Sequence, residues 1–166
     1  DGTLEAAYIA KVGRRDAIRL VNTHGMNVAQ VSRVIEAHNP YLVITDMTSR
    51  VRANGNGGGS NDIAQLECVW NSFRELAAMG DFIHLGTAQI SNEGMDQLHP
   101  ALTALQNSKV GIQTTLDLGI WMGALNNLEC PELRGISTPK NKLARSGCSN
   151  QNQIQVHFDS ERNLWT

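Results

Sequence analysis

The chain has 166 residues, of which 41% are hydrophobic, 18% charged and 5% aromatic, with a formal net charge of −2. That length suits one domain spanning residues 1–166, able to bury roughly two-thirds of its unfolded surface. It excludes a disulfide-stapled miniprotein and a wholly disordered chain. Fourteen Lys and Arg against sixteen Asp and Glu exclude a generally basic nucleic-acid coat, leaving only local basic loops for such contacts.

No run reaches the ~18 consecutive apolar residues of a membrane span, and no signal segment opens the chain. A cytoplasmic protein without a membrane partner is expected. Cys68, Cys130 and Cys148 lie far apart with no Cys-x-x-Cys spacing, and the five histidines supply no zinc pairing. Reduced thiols are expected.

In chain order, Ala17-Ile18-Arg19-Leu20-Val21 predicts a short strand. Asn27 then caps a helix with Val28, Val31, Val34 and Ile35 on one face, and Asn39-Pro40 breaks it. Tyr41-Leu42-Val43-Ile44-Thr45 is a continuous apolar and β-branched run, the pattern of a strand buried on both faces; it ends in Asp46. Residues 54–61 form a glycine-rich loop, with Ser60 as the cap of the next helix. In that helix Ile63, Leu66, Trp70, Phe73 and Leu76 recur at three- and four-residue steps before Gly80. Residues 82–88 predict the next strand, followed by Gln89. Residues 90–115 are polar, with two or three turns of helix. Residues 116–122 predict a strand with Asp117 at its start, and residues 133–139 and 153–158 a late strand pair.

Alternating strands and helices imply an α/β fold with right-handed crossovers: a mainly parallel sheet flanked by helices, with a C-terminal antiparallel strand pair. Ligands of such sheets sit beyond the carboxyl ends of the strands, where Asp46 and Gln89 both fall. A carboxylate at a buried strand tip can hold the hydration shell of Mg²⁺ beside a phosphate, or merely cap a loop. An amide at the next tip can donate to a phosphate oxygen and accept from a water. Lys140-Asn141-Lys142 aims two ammonium groups the same way, because side chains alternate along an extended segment. Arg145 lies three residues on. Arg50 and Arg52, beside the glycine-rich loop, make a mobile basic arm suited to phosphate-backbone contact, with Lys109 alone in the other long loop.

Together, the strand ending in Asp46, the helix, the strand leading to Gln89, the long loop, Asp117 and Lys140-x-Lys142 resemble the second half of a RecA-type ATPase core. The likeness runs over residues 18–166 and is greatest to the hexameric replicative DNA helicases, the DnaB family and the phage primase-helicases. It implies ATP or another NTP with Mg²⁺ as cofactors, and single-stranded DNA and a ring of like subunits, hexameric in that family, as partners. It implies that Asp46 serves Mg²⁺ through water and that Gln89 senses the γ-phosphate. Lys140 and Lys142 would reach the neighbouring subunit's nucleotide, and the loop before Asp117 would grip DNA.

Three features depart from the family pattern. No Gly-x-x-x-x-Gly-Lys-Ser/Thr phosphate loop occurs, Lys142 stands where the family carries a finger arginine, and residues 105–109 lack the usual acidic and arginine residues. The missing phosphate loop, together with the opening at Asp1, leads to the expectation of a helicase-motor fragment, inactive alone, located in the host cytoplasm if phage-encoded. A RecA/RadA-like strand-exchange ATPase, a non-catalytic RecA-like oligomerisation or DNA-binding module and an unrelated doubly wound enzyme remain alternatives.

Overall fold

Two short sheets share one central helix. The computed structural model describes residues 2–14, 16–54, 62–105, 111–127 and 129–166. Its elements are α1 (Gly2–Val12), α2 (Val28–His38), β1 (Leu42–Thr45), α3 (Asp62–Gly80), β2 (Ile83–Gly86), α4 (Gly111–Thr115), β3 (Leu118–Ala124), β4 (Leu133–Asn141), β5 (Gln153–Asp159) and β6 (Leu164–Trp165).

Helix α2 begins as its sequence predicts. The Asn27 side chain accepts from the Gln30 amide, the Gln30 side chain accepts from the Asn27 amide, and Asn39 ends the helix in a left-handed conformation. Val28 and Val31 on its apolar stripe pack with Val51, Val69 and Phe73. One turn along α3, Trp70 packs on a different side with Leu105, Ile112 and Trp121. Helix α3 thus carries a core on each flank, and Phe73 is fully buried between α2 and the first sheet. Ile63, predicted on the apolar stripe, is exposed, whereas the unpredicted Val69 is buried.

Strands β1 and β2 pair in parallel, with Leu42 opposite Ile83 and Thr45 opposite Gly86. The second sheet runs β3-β4-β5-β6 and is antiparallel throughout. The expectation of a mainly parallel sheet therefore holds only for β1 and β2. Parallel neighbours need a crossover of a dozen or more residues, and the short connections from β3 through β6 allow only hairpins.

Two further expectations are corrected. Residues 17–21 form no strand; Ile18 and Leu20 are exposed and have no strand partner among the described residues, and an isolated extended segment gains no ladder bonds. Strand β1 is not buried on both faces, because Leu42 and Ile44, with Ile83 and Leu85 beside them, point from one uncovered side. The other side, carrying Val43, Thr45 and His84, lies toward α3. Helix α1 has no buried residue and no apolar periodicity that announced it.

Candidate functional site

The tips of β1 and β2 meet. Backbone pairing continues one step past the named strands, with the Thr87 amide donating to the Thr45 carbonyl at 3.0 Å and the Thr48 amide to the Thr87 carbonyl at 3.3 Å. This brings the Thr87 hydroxyl to Asp46, where it donates to Oδ1 at 2.5 Å. Asp46 is exposed, so its carboxylate is open to water while Thr87 orients it.

Beneath the tip lies a small polar network. Thr45 Oγ1 sits 2.7 Å from Thr48 Oγ1 and 3.0 Å from His84 Nε2. The His84 ring stacks on Phe73 with centroids 4.5 Å apart and planes 11° from parallel. Burial lowers its pKa from 6.5 to about 4, because the imidazolium would lose hydration there. His84 is thus a neutral ring holding the Thr45 hydroxyl from below.

Gln89 lies three residues beyond β2 and is exposed. Its strand neighbours that of Asp46, but the residue that touches Asp46 is Thr87. Arg50 ends a 3-10 turn over Thr48–Arg50. Arg52 is held by the backbone: its amide donates to Met26 and its carbonyl accepts from Val28, both at 3.0 Å. The basic arm is therefore anchored at the start of α2 rather than mobile at this position. Lys109 and the proposed cap Ser60 lie outside the described residues.

The two lysines sit elsewhere, at the end of α4. Lys140 is in β4, opposite Gly119, within the second sheet rather than in the polar connector after it. Alternation carries both lysines to one side, as their spacing predicts. Lys140 Nζ donates to the Gln113 carbonyl and Lys142 Nζ to the Thr114 carbonyl, the latter at 3.2 Å. Arg74 from α3 completes the set: one nitrogen donates to the Thr115 carbonyl and another to Asp117 Oδ1 at 3.0 Å. Lys142 lies 3.6 Å from the same Asp117 oxygen. Arg145 is exposed. The Lys140 pKa is lowered by lost hydration first and by the neighbouring Lys142 second.

Sequence reasoning missed Thr87, His84 and Arg74. For Arg74 a signal existed, since it falls four residues after Trp70 on the same helical stripe. For Thr87 and His84 there was none short of knowing the β1–β2 register.

No protein family and no curated protein matches the sequence. Solved structures do. A DnaB-like replicative helicase, studied with its interactions with primase, superposes with a TM-score of 0.72 at 14% identity, covering 99% of this chain and 40% of that one. This chain and that protein share a fold. The ATPase domain of a second protein superposes with a TM-score of 0.66, again at 14% identity, covering 84% of this chain and 51% of that one. The chain thus spans about half or less of the length of these two chains. Among the described residues, no helix is long and apolar enough to cross a membrane.

Proposed function

We propose that this chain is the second half of a RecA-like NTP-hydrolysing motor of the DnaB type, working in a ring of like subunits on single-stranded DNA. The observation that carries the reading is the Asp46–Thr87 contact at the tips of two adjacent parallel strands, in a fold shared with a DnaB-like helicase.

The residues fit a hydrated Mg²⁺. A single exposed carboxylate, oriented through one oxygen, suits an ion that keeps most of its waters. When bound, Mg²⁺ neutralises charge developing on the transferred phosphoryl group. Thr87 fixes the direction of the Asp46 carboxylate, and the Thr45–Thr48–His84 network holds the backbone from which it projects. Gln89 senses the γ-phosphate from the neighbouring tip. Lys140 and Lys142 act on the nucleotide of the adjacent subunit, and Arg50, Arg52 and Lys109 contact DNA phosphates.

The nucleotide cradle is not among these residues, since no phosphate-loop motif occurs in the sequence. In this reading it belongs to protein packed on the uncovered apolar face of β1 and β2, where Leu42, Ile44, Ile83 and Leu85 are 45–60% exposed. This chain alone should hydrolyse no ATP.

The test is subunit mixing in a motor that carries the cradle. Lys142→Ala subunits mixed with Asp46→Asn subunits should regain part of the DNA-stimulated hydrolysis that each variant lacks, because some interfaces then join an intact residue from each. Mixed rings as inactive as either variant, with subunit exchange shown by wild-type controls, would remove the lysines from catalysis across the interface.

A further inference from the structure

Helix α4 has only five residues, too short to persist without help at its ends. Help comes from α3 at one end and from three cations at the other. At the N-terminus the Glu67 carboxylate occupies the space a Cβ on Gly111 would need, placing negative charge at the positive end of the helix. At the C-terminus three consecutive carbonyls, Gln113, Thr114 and Thr115, each accept from a different cation: Lys140, Lys142 and Arg74. Glu67 and Arg74 are seven residues apart on α3, two turns on one face, so one helix serves both ends of the other.

The three cations face one carboxylate, Asp117, which engages Arg74 and Lys142. The cluster therefore holds excess positive charge. The side chains of Arg74 and Lys142 are 46% and 45% exposed, so an anion can reach them from solvent. A helix-terminal carbonyl is a weak acceptor, carrying only a partial charge. Phosphate oxygens carry full charge, and the planar guanidinium of Arg74 offers the bidentate fork that a lysine lacks.

We propose that Arg74, Lys140 and Lys142 form a polyphosphate-binding site whose occupation exchanges the α4 carbonyls for phosphate oxygens and so uncaps α4. Arg74 supplies the fork geometry at this site, and the ligand is the phosphate chain of a nucleotide held by a second copy. The proposal rests on the reading of Lys140 and Lys142 given above, and adds both a third cation and a consequence. That consequence is mechanical: Ile112 of α4 is buried against the cluster containing Trp70 and Trp121, so uncapping α4 loosens the contact joining α3 to β3. Because the linkage is reciprocal, whatever displaces α4 would also ready the three cations for phosphate.

The experiment titrates this chain with tripolyphosphate at constant ionic strength and follows amide hydrogen exchange in the peptide covering residues 111–117. Saturation should speed exchange there by about tenfold, the effect of losing caps together worth roughly 1.4 kcal/mol, with β4 unaffected. Asp117→Asn removes the competing carboxylate and should lower the concentration needed. Lys142→Gln and Arg74→Gln should each weaken binding and the exchange response in parallel. If Arg74→Gln fails to fold, Arg74→Lys decides the fork, retaining charge but binding less tightly than wild type. Saturable binding that leaves exchange in residues 111–117 unchanged overturns the uncapping while leaving the phosphate role of the lysines standing. No response beyond that of potassium chloride at equal ionic strength overturns the site itself. Failure of the mixing experiment, by contrast, removes the trans reading without touching either result.

Discussion

Thr87 and Asp46 are forty-one residues apart in sequence, yet the hydroxyl of one donates to the carboxylate of the other at 2.5 Å. The contact exists because β1 and β2 are parallel and in a register that sets Thr45 opposite Gly86, bringing the next residue of each strand to the same tip. Hydrogen bonds to a charged acceptor are stronger than neutral ones, though solvent at an exposed tip weakens them.

Thr87→Val should therefore cost about 1 kcal/mol in urea unfolding, whereas Thr87→Ser should cost less than half of that. In a motor carrying the nucleotide cradle, Thr87→Val should also lower hydrolysis more than nucleotide binding, because it frees the carboxylate to rotate. Equal stability of the Val and Ser variants would show that the hydroxyl contributes nothing at this tip.

His84 makes stability depend on pH in one direction. Its folded pKa of about 4 lies below the ordinary 6.5, so between these values the unfolded chain takes up a proton that the folded chain refuses. Stability due to His84 should be level above pH 6.5 and fall as pH drops toward 4. The loss should be on the order of 2 kcal/mol, allowing for screening by water at the ring's open edge. His84→Phe keeps the stack on Phe73 and cannot titrate. The difference between wild-type and variant unfolding free energies, measured from pH 7.5 to 4.5, should carry this slope, and parallel curves would contradict it.

Close approach, rather than backbone conformation, explains two glycines. A Cβ on Gly86 would lie 2.6 Å from the Trp70 ring and would also meet Thr48 Oγ1, and both of those side chains are buried. On Gly135 it would run into the Leu98 backbone carbonyl. Gly86→Ala and Gly135→Ala should each destabilise by about 1–3 kcal/mol. Gly2→Ala, with open space around it in α1, should be neutral or slightly stabilising. Thermal unfolding of the three variants measures the contrast.

The uncovered side of β1 and β2 should behave as an interaction surface. Ile44 and Ile83 are 60% and 52% exposed on that side, with Leu42 and Leu85 beside them. Replacing both isoleucines with lysine should reduce binding of a hydrophobic dye and concentration-dependent association, while changing stability by less than about 1 kcal/mol. A large loss of stability would mean that the face is buried in the folded chain.

Local chemistry was legible from the residues alone. Asn27 specifies the start of α2, Asn39-Pro40 its end, and the apolar run into Asp46 a strand with a carboxylate at its tip. These follow from contacts within a few residues, which periodicity and capping report directly. The same logic showed that Lys140 and Lys142 point the same way. It could not show toward what, and their acceptors prove to be carbonyls twenty-seven and twenty-eight residues earlier.

What only the tertiary structure decided depends on pairing and register between distant segments. Residues 17–21 read as a strand by composition but lack a strand partner among the described residues, so no ladder bond there offsets the entropy of extending them. The run at residues 42–45 read as buried on both faces, yet β-branched character reports strand propensity and not which faces are covered. Thr87 beside Asp46, His84 beneath Thr45, and Arg74 beside Lys142 are each set by the register of β1 on β2 or by the packing of α3 against both sheets. Sequence specified which groups were available for chemistry; only the fold determined which of them meet.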